Sequence, residues 1–114
     1  MANRQPAHDS FLKKDGGGQV AVAMMLDLPG VTEAQYVTAR EALGTALPLG
    51  NLVHVAGPTA TGWRVVEVWK SSTLMASYFQ SSTTLKAFQT AGIRTVQPSI
   101  FPDSVIAAAA CASR

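Results

Sequence analysis

Hydrophobic and polar residues follow two periods along this chain, and each change of period marks a new element. Val20-Ala21-Val22-Ala23-Met24-Met25-Leu26-Asp27-Leu28 is an almost unbroken apolar run, the pattern of a strand covered on both faces, and Pro29-Gly30 ends it. A helical period follows. Thr32 is placed to cap it and Glu33 suits its positive end, while Val31, Tyr36, Val37, Leu43 and Leu47 recur on one face with Arg40 and Glu41 outward. Pro48 and Gly50 are expected to terminate that helix. Asn51-Leu52-Val53-His54-Val55-Ala56 and Trp63-Arg64-Val65-Val66-Glu67-Val68-Trp69 read as two strands joined by the turn residues Gly57 to Gly62, hence as an antiparallel hairpin.

A second helical segment starts at Ser71 or Ser72 and carries Leu74, Met75, Tyr78, Phe79, Leu85 and Phe88, with Gly92 as its stop. Ser81-Ser82-Thr83-Thr84 has poor helix propensity, which predicts a break there. Thr95 to Phe101 gives a last short strand, with Pro98 restricting it to an edge or a bulge. The order β-α-β-β-α-β predicts an α+β, ferredoxin-like domain with a four-stranded antiparallel sheet over residues 20–103. Residues 1–19, with Gly16-Gly17-Gly18, read as an arm, and residues 104–114 as an alanine-rich tail. Two helices cover one face of such a sheet, so the other must be polar or find cover elsewhere.

Strand parity divides the hairpin into two sets. With Ala56 opposite Trp63, one face carries Leu52, His54, Ala56, Trp63, Val65, Glu67 and Trp69, and the other Val53, Val55, Arg64, Val66 and Val68. The valine set suits the helices, which leaves the aromatic set uncovered. In that register His54 and Glu67 are diagonal neighbours, about 7–8 Å apart at Cα, a separation two long side chains can close. A histidine and a carboxylate in an apolar setting are candidates for acid/base work, since desolvation and mutual charge tune both. The bland alternative is a structural pair at an interface, with the tryptophans as packing; for Tyr36 and Tyr78, at core spacing on the helices, it is packing as well.

Composition narrows the classes. The chain has 114 residues, of which 47% are hydrophobic and 14% charged, enough apolar surface for one core and some to bury against a second copy. Net charge is +2, and the basic residues are scattered without aromatic interleaving, which argues against a nucleic-acid surface. No apolar run approaches the ~20 residues that span a bilayer, and the charged, glycine-rich N-terminus does not look like a secretory leader, so a cytoplasmic location is expected. A single cysteine, Cys111, allows no internal disulfide and no cysteine-rich zinc site, and no metal ligand set is expected. No glycine-rich phosphate loop opens a helix, and no Gly-x-Ser-x-Gly motif occurs.

The segments Leu52-Val53-His54-Val55-Ala56-Gly57-Pro58 and Gly62-Trp63-Arg64-Val65-Val66-Glu67-Val68-Trp69-Lys70-Ser71 resemble the dimeric α+β barrel superfamily, nearest to small actinobacterial members related to antibiotic-biosynthesis monooxygenases. The resemblance spans about residues 20–101, with the hairpin as its most specific part. It implies a homodimer whose two sheets close into a barrel over the aromatic face. It also implies a cavity for hydrophobic aromatic or polyketide-like molecules. His54 corresponds to the strand histidine of the matching segment, and Glu67 and Trp69 follow it. Two departures stand out: the Ser/Thr-rich second helix, and the tail after Phe101.

Three readings follow from that resemblance. The first is an enzyme without metal or organic cofactor, with His54 as base, Glu67 orienting it, and Trp63, Trp69, Leu52, Val65, Tyr78 and Tyr36 around the substrate. Molecular oxygen as co-substrate would make it a monooxygenase; without oxygen the same chemistry gives a cyclase or isomerase. The second is a hydrophobic-ligand-binding or stress-related dimer that performs no reaction. The third, haem degradation, needs a histidine ligand, and only His8 and His54 exist.

Overall fold

The strands and helices run β1 (Val22–Pro29), α1 (Glu33–Leu43), β2 (Asn51–Pro58), β3 (Gly62–Trp69), α2 (Ser72–Gln80), α3 (Ser82–Ala91) and β4 (Ser99–Phe101) in this computed structural model. It describes residues 21–94 and 96–107, so the glycine-rich arm, His8 and the end of the tail with Cys111 lie outside the described residues. All strand pairs are antiparallel in the order β2-β3-β1-β4, which makes the domain α+β and ferredoxin-like.

Local chemistry sets most boundaries. Thr32 caps α1 through a capping box: its hydroxyl accepts from Gln35 N–H at 3.2 Å, and Gln35 Oε1 accepts from Thr32 N–H at 3.0 Å. The same Gln35 donates through Nε2 to the carbonyls of Ala91 and Gly92, tying the start of α1 to the end of α3. The helix stops at Leu43, earlier than Pro48 would require. Gly44 takes φ +90° there, and its N–H returns to the Arg40 carbonyl at 2.9 Å. Leu47 therefore lies beyond the helix and is 44% exposed, and Val37, expected on the apolar stripe, is 41% exposed. The Ser/Thr stretch does break the second helix. Ser81 ends α2 and caps α3, its hydroxyl accepting from Thr84 N–H at 3.2 Å. The last strand shrinks to Ser99–Phe101, paired to β1 only, after Pro98.

The hairpin corrects two expectations. Its register places Pro58 opposite Trp63, so the turn is shorter than expected and Val65 faces Ala56, not His54. Thr59 N–H donates to the Gly62 carbonyl and Thr59 Oγ1 accepts from Gly62 N–H, closing the turn tightly. A Cβ at Gly62 would stand 2.2 Å from the Leu28 carbonyl oxygen, so only glycine permits this approach of β3 to β1. At the other end a bulge pairs Asn51 with Trp69 and Val53 with Val68, leaving Leu52 as the extra residue. Asn51 thereby turns inward, donating to the Val53 and Val68 carbonyls at 3.0 Å each, and Leu52 turns out, 48% exposed.

The faces of the sheet are also the reverse of the expectation. Trp63, Val65, Glu67 and Trp69 are buried beneath the helices with Met24, Leu26 and Leu28, while Val53, Val55 and Val66 are 39%, 58% and 36% exposed on the uncovered face. Parity sorts residues into sets but does not say which set is inside; energetics does. At ~25 cal/mol per Å², a tryptophan burying roughly 150–250 Å² gains about 4–6 kcal/mol, against about 1.5–3 kcal/mol for a valine. The aromatic helix residues Tyr78 and Phe79 complete that core on Trp69, with ring centroids at 5.4 and 6.2 Å.

Candidate active site

His54 and Glu67 stand directly opposite each other in the β2–β3 ladder, closer than the diagonal expected. Opposed residues have Cβ atoms about 4.5–5.5 Å apart, so strand pairing alone brings the two side chains into reach. His54 Nδ1 and Glu67 Oε2 lie 2.6 Å apart. The other carboxylate oxygen accepts from Trp69 Nε1–H at 2.8 Å. From the helix layer, the Tyr36 hydroxyl meets His54 Nε2 at 2.5 Å. Four side chains thus form one chain of hydrogen bonds, Trp69–Glu67–His54–Tyr36. A carboxylate only accepts, so the contact with Glu67 calls for a proton on Nδ1, and in that tautomer of a neutral ring Nε2 would accept from the tyrosine hydroxyl.

This relay forms one wall of a cavity between the sheet and the helices. The cavity is narrow, with a free volume of about 40 Å³, and it opens to solvent at its mouth. Most of the lining is apolar, from Leu26, Leu28, Leu43, Val65, Phe79, Phe88 and Ile93; the exceptions are Tyr36, Arg40, His54, Glu67 and Tyr78. Burial pushes the Tyr36 hydroxyl above the usual tyrosine range, with Arg40 opposing the rise and Glu67 adding to it. Tyr78 is pushed up too, first by burial and then by the charge of Glu67. Among the described residues, no three His, Cys, Asp or Glu side chains come together to hold a metal ion.

Of the residues singled out from the sequence, His54, Glu67, Tyr36, Tyr78 and Val65 meet in this cavity. Trp69 does not line it; fully buried, it holds Glu67 from below. Trp63 backs Tyr36, with ring centroids 5.3 Å apart, also without lining the cavity. Leu52 is the correction: the bulge carries it out of the cavity face. Leu26, Leu28, Ala39, Arg40, Leu43, Phe79, Phe88 and Ile93 complete the lining. Arg40, expected to point outward, lines the cavity instead, since it follows Tyr36 by four positions and so shares its face of α1.

Solved structures of other proteins share this ferredoxin-like α+β fold. A candidate antibiotic biosynthesis monooxygenase from Caulobacter crescentus superposes with a TM-score of 0.55 at 17% identity, over 88% of this chain and 99% of that one. A second candidate monooxygenase, from Chloroflexus aurantiacus, gives 0.53 at 14% identity, over 78% and 95%. A protein of unknown function from Bacteroides thetaiotaomicron, described as a possible oxidoreductase, gives 0.54 at 13% identity, over 73% and 97%. At such identities the likeness is one of fold. No family model and no curated protein sequence matches the chain.

Proposed function

We propose that this chain is a small-molecule enzyme doing acid/base chemistry on an aromatic or polyketide-like substrate without a metal or organic cofactor. The observation that carries the reading is the hydrogen-bond chain Trp69–Glu67–His54–Tyr36 set beside a mostly apolar cavity. A charged or polar network in such surroundings is costly unless fully satisfied. Here every link has a partner and the chain ends at a hydroxyl beside the open space. His54 Nε2 withdraws the proton of Tyr36 as Tyr36 takes one from an activated C–H or phenolic O–H of the substrate. Glu67 offsets the charge that develops on the imidazole, and Trp69 holds Glu67 in place. Apolar walls exclude water and leave the resulting carbanion or phenolate to react within the cavity.

Two outcomes follow from one deprotonation. With molecular oxygen as co-substrate, a methylene flanked by activating groups becomes a carbonyl, one oxygen atom entering the carbon and the other leaving as water. Without oxygen, the carbanion closes on an internal carbonyl or is reprotonated elsewhere, giving a cyclase or isomerase. Oxygen uptake and product mass on a panel of hydroxyanthrones and naphthols, in air and under nitrogen, separate them. His54→Ala is expected to lower turnover by about 10²–10⁴-fold, the usual size of a general-base contribution. Full activity in that variant, or no turnover of any panel member by wild type, would overturn the reading.

The same proposal includes a homodimer. The uncovered sheet face offers Val53, Val55, Val66 and Phe101 to solvent, with the Asp27–Arg64 ion pair at one end. A second copy laid sheet to sheet would cover this contiguous apolar face. The valine face, rather than the aromatic one, is then the dimer face, and each protomer keeps its own cavity between sheet and helices.

A further inference from the structure

We propose that Arg40 makes the cavity an anion site, so that the molecule it takes is bound as an oxyanion, a phenolate or enolate, in preference to its neutral form. This inference rests on the cavity being a ligand site, as argued above.

Arg40 is the cationic side chain in the lining, half-buried on α1 one turn after Tyr36. A guanidinium carries five N–H donors. One of them is in use, from Nη2 to the Thr45 carbonyl at 3.3 Å, which fixes the group at the C-terminal end of the helix. Among the described residues no carboxylate forms an ion pair with it; the ion pairs present are His54–Glu67 and Arg64–Asp27. Glu67, the carboxylate of the cavity, is not free to serve it, since both its oxygens are taken by His54 and Trp69. Arg40 lines the same cavity as Tyr36 on its own helix, His54 and Glu67 from the strands, and Tyr78 from α2, and its other donors make no hydrogen bond among the described residues. Its charge acts on both tyrosines against the rise that burial and Glu67 impose, outweighing Glu67 at Tyr36 and not at Tyr78.

A half-buried guanidinium without a counter-ion, in surroundings of low dielectric, favours whatever anion reaches it. The base at the cavity wall produces such an anion from a phenol or an activated ketone. Arg40 and the relay thus act in the same direction, one removing the proton and the other holding the charge left on oxygen. Arg40 is a specificity-determining residue that selects ligands able to ionise.

4-Nitrophenol, whose yellow phenolate absorbs apart from the colourless phenol, reports the outcome directly, with 4-nitroanisole as a ligand of similar shape that cannot ionise. Spectral titration of each against the full-length protein across pH gives affinity and the ionisation of the bound dye. The expected result is a bound nitrophenol that ionises at lower pH than the free dye. Arg40→Met should erase this shift and weaken phenolate binding about 10- to 100-fold, the size of one charge-assisted contact. Arg40→Lys should keep part of the shift, and binding of nitroanisole should change little in either variant. A wild-type complex whose dye ionises no more readily than free dye, or an Arg40→Met protein with the shift intact, would overturn the anion site and leave the catalytic reading standing. No saturable binding of either dye would bring down the ligand cavity itself, and this inference with it.

Discussion

The hydrogen bond from Trp69 to Glu67 can be weighed by replacing both ends. Trp69→Phe removes the donor and the five-membered ring of a side chain that is fully buried. A bond to a charged acceptor is worth about 1.5–3 kcal/mol. The lost ring leaves roughly 40 Å³ unfilled, which at about 24 cal/mol per Å³ adds about 1 kcal/mol. The single variant should thus lose about 2.5–4 kcal/mol in urea unfolding. Packing and hydrogen bonding are mixed in that number, so the informative quantity is the coupling in a cycle with Glu67→Leu, which removes the acceptor. The cavity cost appears with and without the acceptor and cancels, as does the loss of the His54 partner. A coupling of about 1.5–3 kcal/mol is expected from urea midpoints at constant m-value. A coupling below about 0.5 kcal/mol would mean that Trp69 only fills space and that nothing holds Glu67 from beneath.

Other consequences can be checked on the same protein. Burial raises Tyr36 and Tyr78 above the ordinary 10.0, so the folded state keeps protons the unfolded chain releases. Stability should be fully present below pH 10 and fall as pH rises above it, with a smaller fall in Tyr36→Phe; urea midpoints that stay level across this range would contradict the sign. Gly62→Ala should cost about 3 kcal/mol or more, because its Cβ meets the Leu28 carbonyl at 2.2 Å, and a near-neutral change in melting would refute the close approach. Val66→Lys, on the uncovered face, should shift the protein from dimer to monomer in sedimentation while circular dichroism stays native; a wild type that sediments as a monomer would exclude the sheet-to-sheet pairing.

The element order was legible because its signals are local. Thr32, Ser71, Ser81 and Gly92 act on chain segments beside them, and the structure uses each as a cap. The placing of His54 and Glu67 on one face was also within reach, since the expected and the observed registers differ by an even step and so keep both residues on the same face. Three features were not legible. Which face lies under the helices depends on the total area each set buries, a sum over side chains from separate elements. The position of Leu52 depends on a bulge, and nothing in Asn51-Leu52-Val53 distinguishes a bulged strand from a regular one. Tyr36 looked like packing because its partner, His54, comes from an element 18 residues away. Glu33 is the charged residue of the first turn, but the neutral Gln35 is the one whose side chain closes the capping box.

The opposition of His54 and Glu67 across one ladder separates the parts of this site that can change from those that cannot. Their distance is inherited from backbone pairing, so no loop has to hold it. Leu43 on α1, Phe79 on α2 and Phe88 on α3 bound the same space from the other side, with Ser81 breaking that roof into two separately capped pieces. Substitutions in the roof can enlarge or reshape the room while the His54–Glu67 contact in the floor stays fixed. On the proposed function, such a scaffold can change which molecules it admits by altering its ceiling while the His54–Glu67 pair stays in place.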